Sequence, residues 1–147
     1  MILRLDQDVL QKDVEILIKY PKITKNIESI VSFIRSLDAQ IECNSGRSVL
    51  KVDISDIYYI ESNNKTTVVY CEKDHFKTNY RLTQLNDILQ NKGFAQISKY
   101  CVVNTNKIER FKSLGNSRME VLLPNKVRLF INRKYYAGFK RRLHDDW

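Results

Sequence analysis

Short apolar segments separated by turn-forming residues fill most of the chain after residue 38, and this spacing limits the fold more than any other sequence feature. Asn, Gly, Ser or Pro stands between most of them, as between strands joined by tight turns. The predicted strands are 39–43, 48–52, 57–61, 66–71, 76–79, 101–103, 109–114, 118–123 and 127–130. They predict a mainly β (α+β) fold, a sandwich of small antiparallel sheets.

A strand and a helix are predicted ahead of this region. Residues 13–20, DVEILIKY, alternate polar and apolar side chains, which indicates a strand that ends at Pro21. Thr24 is placed to cap an amphipathic helix that reaches about Leu37. Its apolar stripe consists of Ile23, Ile27, Ile30, Val31, Ile34 and Leu37, and we expect it to pack on the β domain rather than form a dimer contact. The chain is therefore divided into a β-α extension, residues 1–43, and a β-rich domain, residues 44–147.

Two shorter helices are predicted inside the β-rich domain. One lies near residues 83–90 and turns Leu82, Leu85, Ile88 and Leu89 inward. The other begins after Asn132 and places Tyr136, Phe139 and Leu143 on one face.

The composition is that of a soluble globular domain. The 147 residues are 43% hydrophobic and 29% charged, and no apolar run approaches the ~18 residues of a membrane helix. The N-terminus is acidic where a signal peptide would be basic, so a cytoplasmic protein without membrane insertion is expected. Three cysteines without a CxxC pair and two distant histidines predict neither a disulfide framework nor a metal site. No cofactor is expected.

Enzymatic chemistry is weakly supported. Cys71 and His75 lie four residues apart, but no third residue is placed to orient the imidazole. Asp53 and Asp56 bracket a turn, where aspartate bonds to its own backbone. With only four scattered glycines there is no phosphate-binding loop. The sequence therefore predicts a protein that is not an enzyme.

The positive charge is concentrated in the last third of the chain. Residues 92–142 hold 13 Lys and Arg against only Glu109 and Glu120, so the segment carries 13 − 2 = +11. Self-repulsion on this scale destabilises the free fold, and a polyanion relieves it.

Three polar loops carry side chains suited to nucleic acid. The candidate contact residues are Asn64, Lys65, Thr66 and Thr67 in the first loop, Ser98 and Lys99 in the second, and Arg133 and Lys134 at the start of the last helix. Lys and Arg neutralise phosphates, and Asn and Arg also pair with base edges in the major groove. Each loop alone is ordinarily a solvated turn, but three beside a strongly basic segment favour binding.

Four segments together resemble the LytTR-type DNA-binding domain of bacterial transcription regulators. They are VDISDIYYIES at 52–62, YRLTQLNDIL at 80–89, GFAQISKYCVVNTNKIERF at 93–111 and VRLFINRKYYAGFKRRL at 127–143. The resemblance covers about residues 44–143 and depends on the ordered set rather than on one motif.

The resemblance implies an elongated sandwich whose loops enter successive major grooves of bent double-stranded DNA. The family's contact positions fall on 64–67, on Ser98 and Lys99, and on Arg133. Ser98 and Tyr100 depart from the family, which often has His or Arg at the first and a small Ser at the second. The first loop also lacks the His or Arg of some members, which affects base preference. Tyr100 is expected to pack at the interface margin, and Asn104 to satisfy backbone groups after its strand.

Partners and alternatives follow from the same residues. Many relatives carry a receiver domain of about a hundred residues, and the roughly forty residues before this domain cannot form its core, so a stand-alone regulator is expected. Binding as a homodimer or pair to repeated half-sites is expected. One alternative is an RNA-binding module that uses Tyr58, Tyr59 and Tyr70 for stacking. The other is a regulator that sequesters a protein partner through helix 24–37.

Overall fold

The structure is a computed structural model that describes residues 1–142. Its helices are α1 (Lys25–Ser36), α2 (Leu82–Leu89) and α3 (Arg133–Arg142). Its strands are β1 (Gln40–Ser45), β2 (Ser48–Asp53), β3 (Tyr59–Asn63), β4 (Thr66–Tyr70), β5 (His75–Thr78), β6 (Phe94–Ser98), β7 (Cys101–Asn104), β8 (Arg110–Gly115), β9 (Arg118–Leu122) and β10 (Arg128–Ile131). The mainly β prediction is confirmed, and no described helix is both long and apolar enough to cross a bilayer.

The strands form two antiparallel sheets. The large sheet has seven strands in the order β2-β1-β5-β4-β3-β7-β6, and the small sheet has three in the order β10-β9-β8. β1 begins at Gln40 and pairs with β5 through Asn44 and Lys77, so this strand of the large sheet crosses the predicted domain boundary at residue 44.

Strand β7, most of β6 and the start of β3 are buried on both faces because they lie between two cores. One core packs α2 against the large sheet and includes Ile60, Phe94 and Val102. The other packs the small sheet and α3 against the opposite face and includes Ile97 and Val103. This explains why Cys101–Val103 is a continuous apolar run, since a strand covered on both sides has no polar face.

Helix α1 forms as predicted but is only partly covered. The Thr24 hydroxyl caps it by accepting a hydrogen bond from the Ile27 amide at 3.3 Å, and Leu37 ends it. Ser36 is its buried residue, whereas Ile23 is 56% exposed and Leu37 is 45% exposed. The predicted stripe therefore packs on the domain along part of its width.

The sequence prediction and the structure differ at two strands. Residues 13–20 form no strand, because alternation alone does not supply the neighbouring strand that must pair its backbone groups. Strand β6, with the sequence FAQIS, is not predicted, since its apolar-polar alternation covers only the four residues 95–98. In α3, Phe139 is buried and Tyr136 half-buried as predicted, while Leu143 lies outside the described residues.

Candidate nucleic-acid interface

The first predicted loop is the tip of the β3–β4 hairpin. Asn63 pairs with Thr66, which leaves Asn64 and Lys65 as a two-residue turn. Both have positive φ, 49° and 65°, the twist that matches the turn to its flanking strands. Asn64, Lys65 and Thr66 are exposed, whereas Thr67 is 4% exposed within the sheet. The tip therefore presents an amide, an ammonium and a hydroxyl to solvent.

The second loop joins β6 to β7. A register shift in the pairing of β6 with β7 lies between Gln96 and Ser98. The Ser98 hydroxyl accepts a hydrogen bond from the Tyr100 amide at 3.2 Å, which orders the turn. Lys99 is exposed, and its Nζ lies 5.5 Å from the centre of the Tyr100 ring. Tyr100 is itself 56% exposed, so it lies at the margin as expected but packs less than expected.

The third loop is the start of α3, which follows β10 directly. Arg133 and Lys134 are exposed in the first turn of the helix. The Arg133 Nε donates a hydrogen bond to the Asn116 carbonyl oxygen at 3.2 Å. Asn116 lies in the β8–β9 turn, where it and Ser117 have φ of 53° and 57°. The guanidinium is thus held toward this turn in the free protein.

Two backbone hydrogen bonds bring the three loops together. The Ser62 amide, beside the first loop, donates to the Tyr100 carbonyl of the second at 2.8 Å. The Asn132 amide, just before Arg133, donates to the Ile97 carbonyl beside Ser98 at 3.0 Å. Because β3 and β7 are neighbours and antiparallel, the β3–β4 tip and the β6–β7 loop share one end of the large sheet. The start of α3 joins them there.

The cations at this end of the sheet have no carboxylate partner within the described part of the chain. The ion pairs among the described residues are Lys25 with Glu28 and Arg128 with Glu120, and neither pair involves these cations. Lys65, Lys99 and Arg133 therefore keep their charge uncompensated. Such a surface attracts an anionic ligand.

Asn104 has the structural role expected of it. It is 2% exposed, and its Nδ2 donates to the Ile57 carbonyl at 2.8 Å. Its Oδ1 accepts from the Asn106 amide at 3.1 Å. The polar residue after the apolar strand thus satisfies backbone groups inside the fold rather than at the interface.

The cysteines are not suited to nucleophilic chemistry. Burial raises the pKa of Cys71 to about 11 and that of Cys101 to about 12, so both thiols stay protonated near neutral pH. The His75 ring stacks on Tyr70, with centroids 5.7 Å apart. The Asp53 carboxylate accepts a hydrogen bond from the Gln40 side-chain Nε2 at 2.8 Å.

The sequence predicts strands at 109–114 and 118–123, but it does not predict that the turn between them contacts Arg133. No local signal marks Asn116, because its contact with Arg133 joins positions 17 residues apart.

Comparison with known proteins identifies the class. The family model described as LytTr DNA-binding domain matches residues 47–144, and the chain belongs to this family. A LytTr DNA-binding domain from Bacillus cereus superposes with a TM-score of 0.67 at 20% identity, covering 71% of this chain and 96% of that one.

Two curated relatives are regulatory proteins by name. An uncharacterized HTH-type transcriptional regulator of Staphylococcus aureus (strain NCTC 8325 / PS 47) is 26% identical over 125 residues, which is 84% of each chain. The sensory transduction protein LytR of Staphylococcus saprophyticus is 23% identical over 103 residues, covering 70% of this chain and 40% of that protein.

Proposed function

We propose that this LytTR-family protein is a sequence-specific transcriptional regulator in the cytoplasm that binds double-stranded DNA and has no enzymatic activity. The β3–β4 tip, the β6–β7 loop and the start of α3 enter successive major grooves. The observation that carries the proposal is the pair of hydrogen bonds, Ser62 to Tyr100 and Asn132 to Ile97, which holds these loops at one end of the sheet. The positive charges and the hydrogen-bonding side chains of the three loops lie together at this end of the sheet.

Within this surface the side chains take different roles. Arg133 reads a guanine edge, because a guanidinium matches its two acceptors. Lys99, Lys65 and Lys134 neutralise phosphates. Asn64, Thr66 and Ser98 supply hydrogen bonds, and buried Thr67 supports the hairpin. Two copies bind a pair of half-sites, which suits the repeated operators of many regulators.

An RNA-binding role has less support. Tyr58 and Tyr59 are 8% and 9% exposed, and Tyr59 stacks on Tyr70 with centroids 4.4 Å apart. These rings are engaged inside the protein and do not form the open stacking platform that single-stranded RNA requires.

Selection from a pool of random duplexes tests the proposal. The expected result is enrichment of a motif with two repeated half-sites, bound more tightly than random duplex and than single-stranded RNA. A pool that stays unenriched, or a preference for RNA, contradicts it. The same selection with the Arg133→Ala variant identifies the base pair that Arg133 reads.

A further inference from the structure

Residues 1–23 expose far more apolar surface than the rest of the chain. Of the twenty large apolar side chains exposed among the described residues, eleven lie in this segment: Met1, Ile2, Leu3, Leu5, Val9, Leu10, Val14, Ile16, Leu17, Tyr20 and Ile23. Leu5 and Val14 are both 90% exposed. Single exposed apolar residues are normal, but a concentration of them marks an interaction surface.

A cleft of about 830 Å³ lies beside the end of this segment. Helix α1 forms one wall, with Val31 and Arg35. The other wall includes Phe94 and the last turn of α3, where Arg142 also bonds the carbonyl oxygens of Gln90 and Phe94 at 2.7 and 3.0 Å. The cleft is thus lined mainly by polar and charged residues, with Tyr20, Ile23 and Val31 among its apolar lining residues.

The cleft and the segment carry opposite charges. The cleft is lined by Lys25, Arg35, Arg141 and Arg142 against Glu28, which gives 4 − 1 = +3. Residues 5–18 hold Asp6, Asp8, Asp13 and Glu15 against Lys12, which gives 1 − 4 = −3. An acidic, apolar strip therefore matches a basic cleft with apolar side chains in its lining.

A second copy is better placed than the same chain to bring the two together. Tyr20 lines the cleft and is followed by Pro21. The residue before a proline favours extended backbone, so the chain does not turn residues 5–18 back into their own cleft at Tyr20. A segment that arrives from another molecule meets no such restriction, and the exchange can be reciprocal.

We propose that residues 5–18 of one copy dock in the α1 cleft of a second copy, and vice versa, to form a homodimer without DNA. The apolar side chains of the segment cover the exposed part of the α1 stripe, and its carboxylates face Arg35 and Arg141. This homodimer would provide the two copies that bind the pair of half-sites in the proposed function. Its role on DNA rests on that proposed function.

Sedimentation equilibrium of the full chain without DNA tests the contact. The wild-type protein is expected to be a dimer. Leu10→Asp with Ile16→Asp, and separately Arg35→Glu, should each raise the dimer dissociation constant at least about tenfold. Ile2→Asp and Arg47→Glu change similarly exposed residues outside the segment and the cleft, and should leave it unchanged. Circular dichroism confirms that each variant is folded.

Mixing the two deficient variants separates exchange between copies from folding back. Each variant alone should be monomeric. Their mixture should form a one-to-one heterodimer, because the intact cleft of one receives the intact segment of the other. A monomeric wild type, control variants as weak as the test variants, or a mixture that stays monomeric overturns the proposal.

DNA binding is measured separately with the same proteins. Arg133→Ala should leave the mass unchanged, so a failure of the dimer contact is distinguishable from a failure of the DNA proposal. If Arg35→Glu weakens DNA binding and leaves the mass unaltered, the cleft belongs to the DNA surface and the proposed contact is wrong.

Discussion

At the residue scale, Lys99 and Arg133 have similar charge but different surroundings. Lys99 is exposed in the β6–β7 loop, and its Nζ lies beside the Tyr100 ring. Arg133 is oriented by a hydrogen bond to the Asn116 carbonyl. An oriented guanidinium loses less rotamer freedom when it meets a base edge, whereas a mobile ammonium suits phosphate. Removing each of the two side chains should therefore change DNA binding in a different way.

Replacing Arg133 with alanine should relax base preference. The expected cost on the selected duplex is about 1–3 kcal/mol, with a much smaller cost on random duplex. Fluorescence anisotropy on both duplexes measures the difference. Arg47→Ala, in the turn between β1 and β2, is the matched control. Equal losses on the two duplexes would show that Arg133 contacts only the backbone.

Replacing Lys99 with alanine should weaken binding to all duplexes alike. The slope of log affinity against log salt concentration should fall by roughly one unit, because one fewer counterion is released. Lys73→Ala is a matched control, since Lys73 is exposed in the connection between β4 and β5 at the opposite end of β4. A slope equal to that of the wild type would exclude a phosphate contact.

At the element scale, the proposed DNA-binding mode depends on turns rather than on a helix laid in a groove. The β3–β4 tip is shaped by positive φ at Asn64 and Lys65, and the β6–β7 loop by the Ser98 hydroxyl. The three helices α1, α2 and α3 are separated in sequence by strands, so consecutive helices do not form a compact helical reader within the described residues.

Two substitutions at Lys65 separate the charge of the β3–β4 tip from its shape. Lys65→Gly and Lys65→Val both remove the ammonium, but a β-branched residue is strained at a φ of 65°. The valine variant should be about 1–2 kcal/mol less stable than the glycine variant and should bind DNA more weakly. Urea unfolding and anisotropy measure the two effects. Variants equal in both respects would mean that the turn relaxes freely.

Local sequence patterns predict most of the helices and strands but not which of them lie side by side in the fold. The capped stripe of α1, most of the strands and the turn residues are visible in short windows. Residues 13–20 are a false prediction, because alternation describes a two-faced segment without telling whether a strand lies beside it. Strand β6 is not predicted, because its alternation covers only residues 95–98. Each of the three loops can be predicted from its own residues. Their proximity cannot, because it depends on the pairing of β3 with β7, some forty residues later, which no local pattern contains.

At the scale of the whole molecule, burial that holds the loops in place also makes the fold sensitive to alkali. Burial raises the pKa of Cys101 to about 12 from 9.0 and that of Tyr59 to about 12 from 10.0. A group with a raised pKa in the folded state contributes its full stability below its unfolded pKa. That stability is lost as the pH rises through the interval up to the folded pKa.

Stability should therefore be flat from pH 7 to 8 and fall above pH 9. Cys101 alone should account for a loss of about 1.4 kcal/mol at pH 10, one unit above its unfolded pKa. Urea unfolding of the wild type and of Cys101→Ala measures this, with a shallower decline expected for the variant. Parallel declines would mean that the Cys101 thiol ionises as readily in the folded protein as in the unfolded chain.

The central strands are packed between two hydrophobic cores, so the conformation of the strands does not depend on the side chains at their tips. Tip residues with ordinary φ, unlike Asn64 and Lys65, can be exchanged without disturbing the layers beneath, since Ile60, Val102 and Val103 are 0% exposed. Under the proposed function, changing a few such surface positions would alter the preferred operator with little penalty in folding.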